Sequence, residues 1–518
     1  MNEIKLIIFL VWIPQAIGQY LTWLYWVQTK EYRYDKFSVL LRSKSSIKKL
    51  DTSLIFIKLF LLGLTQFVFL IFLVFLFLDL KYLYLFLKKK FRKPIFTNRI
   101  NNIVKLSFGL IVLDFLSSLV GLYRFETALL IAEILLMLSI SIGVIWTKKY
   151  VKRALYEITE KAKKKLKISN PKVVGITGSY GKSSTKEFLY HLLKDSKRTA
   201  KTDKNQNNDF GVAMSINKNL KKDTEVFVAE MGAYKIGEIN AITNYINPDI
   251  SIVTGIEPQH LELFGNIENI KKAKYEIVDA LAEGGVAILN IDSDPVKDLA
   301  IWAKDKKIKV ITYRRQTAKS SKDEYLYSII KSDPKGVSFK VIKGNSSHQL
   351  YAPVHGTHFI ENLVAAVIAA VELKVSWTDI KKACRRIKLP EGTMRVTKSN
   401  GRSIIDDSYN SSPSGFKAAL DYLNMFDAPK IVITSGIQEL GSYSKITHEE
   451  LGSLMNKTDL VILTNRDFEN YIKKKLAKEK FIVSDDPRIL NDVLKSFPKE
   501  STILLEGRLP SAVRKLFI

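Results

Sequence analysis

The sequence predicts an α-helical membrane-spanning region followed by two α/β domains, and three observations carry that reading. Four long apolar runs lie within the first 150 residues. Beyond residue 170, short apolar strands alternate with helical patterns. A glycine-rich turn, "GITGSYGKSST", stands between the first of those strands and the helix that follows it. At 518 residues the chain is also too long for one ordinary core.

The apolar runs are residues 4–28, 54–79, 103–123 and 126–146, and each is long enough to cross ~30 Å of hydrocarbon as a helix. That makes about four spans in a region of residues 1–150. The first run lacks a small-residue cleavage site and carries Pro14 and Gln15, so it is expected to stay in the mature protein. Residues 1–170 hold 27 Lys/Arg against 10 Asp/Glu, a large share of the formal net charge of +28. The clusters "KKKFRK", "TKKYVKR" and "KAKKKLK" flank the runs, where basic residues stay cytoplasmic and meet anionic headgroups. Membrane lipids are therefore expected partners. Nucleic acid is not, because the charge tracks the ends of the runs instead of interleaving with aromatics.

Four spans place both termini and the large C-terminal part in the cytoplasm, giving a multi-pass protein of the cell membrane. They also place loop 29–52, with seven Lys/Arg against three Asp/Glu, on the outside, against the positive-inside tendency. Either the first run, interrupted by Pro14, is re-entrant or interfacial, or the stretch 54–87 crosses differently. Lys58, Asp114 and Glu133 fall inside the runs, where ionisable groups pair, snorkel or serve a polar substrate.

After a basic linker, residues 151–170, "PKVVGITGSYGKSSTKEFLYHLL" reads as strand, turn and helix, and "EVFVAEMGA", "DISIVTGI" and "GGVAILNID" read as further strands. This alternation predicts a mostly parallel sheet covered on both faces, within a domain of residues 171–391. A second series, "GRSIIDDSYN", "KIVITSG", "DLVILTN", "KFIVSDD" and "STILLEG", predicts a smaller α/β domain over 392–518. The single cysteine, Cys384, excludes an intrachain disulfide and sits on a helix-like "KKACRRIKLP" pattern, as a buried small hydrophobe would.

The glycine turn has a direct physical reading. Gly178 and Gly181 let backbone amides turn toward phosphate oxygens, Lys182 brings positive charge to terminal phosphates, and Ser183 at the helix start can ligate Mg²⁺. Five residues separate Gly175 from Gly181, one more than in a strict Walker A loop.

This stretch resembles the phosphate loop of the Mur ligases, and further segments follow in that family's order: "NQNNDFGVAMSI", "VAEMGAYKIGEI", "PQHLELFGNIENIKKAKYEI", "AILNIDSD", "GTHFIENLVAAVIAA" and "IDDSYNSSP". The resemblance covers about residues 171–518 and is greatest to members that add D-alanyl-D-alanine. It implies a central P-loop ATPase domain plus a smaller Rossmann-like C-terminal domain. The implied activity is an ATP-dependent amide ligase: a carboxylate takes the γ-phosphate of ATP, and an amine attacks the resulting acyl phosphate. Two anionic reactants must meet in such a reaction, which calls for fixed positive charge and divalent ions.

By the same resemblance, Lys182, Lys274 and His260 are catalytic, with Lys274 carbamylated. Gly178, Ser179, Gly181, Lys182, Ser183, Ser184, Asn290, Asp407, Tyr409 and Asn410 bind ATP. Ser183 and Glu230 hold one Mg²⁺ and His260 a second, while Asn207 and Asn208 meet substrate. The implied partners are a muropeptide precursor, UDP-linked or lipid-linked, and an amine dipeptide or amino acid. Departures bear on the amine more than on the ATP chemistry: "EGTMRV" has Thr393 where the family has arginine, so either Arg395 reaches the phosphate or that contact is missing, Ser412 replaces an asparagine, and "SGIQELG" replaces "GDMLELG". The family's own UDP-gripping N-terminal domain has no counterpart in residues 1–150. Two other readings are a polyglutamate-type ligase, against which "NQNN" and "DDSYN" speak, and a membrane scaffold with a degenerate ATPase, against which the joint presence of Lys182, Glu230, His260 and Lys274 speaks.

Overall fold

The structure, a computed structural model, describes residues 3–42, 68–87, 91–318, 321, 323–389, 392–408 and 411–517. It forms two compact units, Met1–Tyr156 and Glu157–Ile518.

The first unit is built of helices: Glu3–Thr29, Tyr34–Arg42, Val68–Leu87, Asn98–Leu119 and the opening turns of Phe125–Ser169. Among the described residues three helices are long and apolar enough to cross a membrane, Lys5–Thr29, Asn98–Leu119 and Thr127–Ser169. Four were expected; residues 54–67 of the second run, with Lys58, lie outside the described residues. The first run is not interrupted. Its helix, Glu3–Thr29, continues through Pro14. The basic linker is likewise helical, as the end of Phe125–Ser169.

The core of this unit is largely apolar, with Ile8, Trp12, Leu24, Ile100, Leu129 and Leu136 buried, and a few polar side chains pair within it. Gln15 donates to Glu133, Tyr20 Oη lies 2.5 Å from Ser107 Oγ, and Ser107 Oγ lies 2.6 Å from Ser139 Oγ, all of them buried. Asp114, also buried, accepts from Tyr123 Oη at 2.5 Å. Both acids thus sit at packing seams. Leu10, Ile17, Phe108, Leu113, Leu116 and Ile145 face outward.

The second unit contains two sheets. The larger has nine strands in the order β2-β3-β1-β4-β5-β6-β7-β8-β9. These are β1 Lys172–Thr177, β2 Thr199–Lys201, β3 Val226–Glu230, β4 Ile250–Val253, β5 Val286–Asn290, β6 Lys309–Arg315, β7 Tyr325–Asp333, β8 Gly336–Lys343 and β9 Ser346–Ala352. The strands from β2 to β7 are parallel, as the alternation with helices demanded, whereas β8 and β9 add an antiparallel meander. Strand order reverses at β1, so its C-terminal end opens into the crevice where α/β sheets take ligands. Helix Lys182–Leu193 packs against helix His358–Glu372 on one face, with Phe188 and Phe359 edge to face at 6.3 Å. Helix Ile267–Asp279 covers the other face, close enough that a Cβ on Gly175 would stand 2.8 Å from Ile277 Cδ1.

The smaller sheet has six strands in the order β10-β11-β15-β12-β13-β14. They are β10 Arg395–Ser399, β11 Arg402–Asp407, β12 Lys430–Thr434, β13 Leu460–Leu463, β14 Phe481–Val483 and β15 Thr502–Glu506. The five expected strands are present and parallel, and β10 pairs antiparallel at the edge. Cys384 ends helix Trp377–Cys384, fully buried, and burial pushes its thiol up to about 12.

Candidate functional site

The loop after β1 is shaped by two glycines in conformations that side chains resist. Gly178 has φ 149° and a Cβ there would fall 2.1 Å from Thr254 Oγ1; Gly181 has φ 73° and a Cβ there would fall 2.0 Å from Asn362 Oδ1. Close approach as well as torsion therefore requires glycine. Ser179 N donates to the Gly255 carbonyl at 2.7 Å and Ser179 Oγ to the Glu257 carbonyl at 3.0 Å, which tie the loop to the segment after β4. Lys182 opens the helix and donates to the carbonyls of Gly178 at 2.7 Å and Ser179 at 3.1 Å. Ser184, one turn in, is buried.

Glu230 ends β3 beside the loop, paired in register with Ile176. Its Oε1 accepts from Ser183 Oγ and Asn207 Nδ2, each at 3.0 Å, and its Oε2 lies 3.1 Å from Lys186 Nζ. Lys186 and Glu230 are only 1% and 2% exposed. Burial pushes this carboxyl up, but Lys186, Asn207 and Lys182 outweigh it and hold the group below its ordinary range. The Ser183–Glu230 oxygen separation suits a divalent ion. Two neighbouring ligands of an octahedral Mg²⁺ with bonds of ~2.1 Å stand ~3.0 Å apart, so this oxygen pair fits one edge of that shell. Among the described residues no three His, Cys, Asp or Glu side chains converge as a metal cage. Water and phosphate oxygens complete such a shell, which is the coordination Mg²⁺ favours.

His260 and Lys274 share this electrostatic neighbourhood. Burial lowers the His260 imidazole, opposed by Glu439 and reinforced by Lys182 and Lys274. Lys274 lies on the buried face of helix Ile267–Asp279, 2% exposed, where a lysine-rich helix would ordinarily turn its charge to water. Burial and then the Lys182 charge drive its amine well below the ordinary lysine value. Glu230, His260 and Lys274, dispersed along the chain, thus all lie within electrostatic reach of Lys182.

Other expected residues are engaged in the scaffold. Asn208 caps helix Asp209–Asn219 by accepting from Gly211 N at 2.8 Å, and Asn207 also receives Gly232 N at its carbonyl, at 2.7 Å. Asn290 is fully buried and donates to the Thr254 carbonyl at 2.8 Å and to Glu361 at 3.3 Å. Asp407 ends β11 opposite Glu506 of β15. Burial pushes Asp407 up to about 7, against hydrogen bonds from Met394 N and Glu506 that lower it, and drives Glu506 well above its ordinary value, a shift to which Asp407 adds. Tyr409 and Asn410 lie outside the described residues. Arg395, at the start of β10, lines a basic cleft of about 500 Å³ with His355, Arg385, Arg386 and Lys388.

Sequence reasoning missed Lys186, Asn362, Glu439 and Glu506. Lys186 stands within "GKSSTKE", where spacing along the helix signals its return to the loop. The other three are distant in sequence from the loop or from the partners they meet.

Comparison with known proteins agrees with this geometry. Residues 176–370 match the Mur ligase middle domain, and residues 393–509 match the domain described as Mur ligase, glutamate ligase domain. The UDP-N-acetylmuramoyl-tripeptide--D-alanyl-D-alanine ligase of Haemophilus influenzae is 30% identical over 324 residues, which cover 62% of this chain and 68% of that protein. A crystal structure of MurF from Acinetobacter baumannii superposes with a TM-score of 0.63 at 25% identity, covering 70% of this chain and 79% of that one. The MurF ligase of Thermotoga maritima in complex with ADP gives 0.60 at 26% identity, covering 70% and 83%. These matches span both α/β domains, and the chain belongs to the Mur ligase family of ATP-dependent, peptide-bond-forming ligases.

Proposed function

We propose that this ligase joins D-alanyl-D-alanine, or a similar amine, to the carboxylate of a cell-wall muropeptide precursor at the cytoplasmic face of the membrane. The observation that carries the reading is that Glu230, His260 and Lys274 all lie within electrostatic reach of Lys182, at the loop between β1 and helix Lys182–Leu193. The relatives named above, which add that dipeptide, support the choice of amine.

The residues divide the work by charge. Amides of Gly181, Ser183 and Ser184 and the Lys182 ammonium cradle ATP phosphates at a helix N-terminus, in a loop shaped by Gly178 and Ser179. Asp407 in the smaller domain and Asn290 at the end of β5 contribute to nucleotide binding, together with Tyr409 and Asn410. Ser183 and Glu230 hold one Mg²⁺ and His260 a second, while Asn207 aligns Glu230. Bound Mg²⁺ supplies charge neutralisation between the two anionic reactants. Lys274, whose amine burial and the Lys182 charge drive well below its ordinary value, is the proposed nucleophile for CO₂; attack with loss of a proton to water gives a carbamate, an anion that would support the metal in place of a repelling ammonium. Lys274→Ala then abolishes most turnover, and short carboxylic acids partly restore it.

Residues 1–150 serve as a multi-pass anchor. The apolar surface of their long helices supports this: leucine and phenylalanine face outward, as hydrocarbon requires, while Gln15 pairs with Glu133 and Tyr20, Ser107 and Ser139 form a hydrogen-bonded row inside. Holding enzyme and a lipid-linked acceptor on one surface raises their effective concentration.

The test is ADP release by the intact chain in bilayers, with matched UDP-linked and lipid-linked muropeptides and a panel of amines, and product masses measured. The reading requires release that depends on both acceptor and amine, with a mass gain equal to the amine minus water. Release independent of the amine refutes it.

A further inference from the structure

His260 is fixed from the opposite domain. Its backbone lies in the left-handed region at φ 55°, at the head of the short helix Leu261–Phe264. Facing it is the turn after β12, where Glu439 is also left-handed at φ 65°. Glu439 touches the histidine segment twice: Oε2 lies 2.5 Å from His260 Nδ1, and the main-chain carbonyl accepts Leu261 N at 3.1 Å. Two residues on, a Cβ at Gly441 would stand 3.6 Å from Glu262 Cγ, so residues 439–441 lie flat against residues 260–262. The ring of Tyr234 packs edge to face on His260 at 4.7 Å from the other side.

An ionised carboxylate can only accept. The ring nitrogen facing Glu439 is Nδ1, so Nε2 is the one left to meet a cation. A carboxylate behind a ring N–H also fixes the ring's orientation and raises the basicity of the other nitrogen.

We propose that Glu439 is a positioning residue supplied by the C-terminal domain, which orients His260 so that Nε2 faces the divalent cation and couples cation affinity to the seating of that domain. This rests on His260 being a metal ligand, as read above. Because coupling is reciprocal, cation binding also protects the 437–441 turn.

The experiment uses the full chain in bilayers with Mn²⁺ and ADP, reading Mn²⁺ affinity by electron paramagnetic resonance and turn protection by hydrogen exchange. Glu439→Ala weakens Mn²⁺ binding ~10–100-fold. Glu439→Gln, which keeps an acceptor, recovers part of the loss. The His260→Ala and Glu439→Ala changes together cost no more than His260→Ala alone, and Mn²⁺ no longer protects residues 437–441 in either Glu439→Ala protein. Unchanged Mn²⁺ affinity in Glu439→Ala, or losses that add, overturns the proposal while leaving His260 a ligand. If His260→Ala itself binds Mn²⁺ as the unaltered chain does, the ligand reading fails and the proposal with it.

Discussion

Replacing Lys186 by methionine keeps the length of the side chain and removes the ammonium 3.1 Å from Glu230 Oε2. Across that distance, at an effective dielectric constant of ~20, the lost attraction is about 5 kcal/mol. The desolvation of Lys186 is recovered, yet Glu230 stays buried without its principal counter-charge, and losses of about 3–5 kcal/mol are usual when one partner of a buried pair is removed. We expect a loss of that size at pH 7. The pH dependence has a definite sign. In the unaltered chain Glu230 is held below its ordinary range, so its contribution is present above the unfolded carboxyl's pKa and fades as pH falls through the folded one. In Lys186→Met burial dominates, the carboxyl moves up, and the deficit shrinks as acid neutralises it. Adding Glu230→Gln removes the stranded charge and restores much of the stability. Hydrogen exchange at β1 and β3 of the intact protein, from pH 5 to pH 8, reads the local free energy. A single-variant loss under about 1 kcal/mol, or a double variant as unstable as the single, refutes the claim that this pair holds Glu230 ionised.

Three further outcomes follow from particular contacts. Gly181→Ala places a Cβ against Asn362 and imposes a left-handed cost of ~1–2 kcal/mol, so ADP affinity measured by calorimetry falls about tenfold or more; unchanged affinity contradicts the close-approach argument. The Asp407–Glu506 pair favours its neutral form, so its stabilising effect is complete below the unfolded carboxyl's pKa and is lost as pH rises through about 7. Protection of β11 and β15 against exchange should therefore decline between pH 5.5 and pH 8, and Glu506→Gln should flatten that decline. Cys384, buried with its thiol pushed up to about 12, should resist maleimide in the folded protein and react only after unfolding, as mass spectrometry would show.

What the sequence determined by itself was whatever is encoded in contiguous residues. Gly178, Gly181, Lys182 and Ser183 announce a phosphate loop because a helix N-terminus and its preceding turn are local structures, and their conformations follow from local residue types. The five parallel strands of the smaller sheet were legible because buried parallel strands are short continuous apolar runs. The meander of β7, β8 and β9 was not read, although "DPKG" and "KGNS" mark its turns, because half-exposed strands alternate with lysine and serine and blend into loop composition. Pro14 suggested an interruption that the first helix does not have, since packing of its buried face decides continuity more strongly than one lost hydrogen bond. Lys274 stood in a lysine-rich helix, and only the packing of that helix against β1 put its amine under the sheet and out of water. Tertiary structure alone decided the pairs Thr185–Asn362, His260–Glu439 and Asp407–Glu506, separated by 177, 179 and 99 positions, because such contacts depend on where each crossover returns the chain to the sheet and not on any pattern within a turn of helix or a strand.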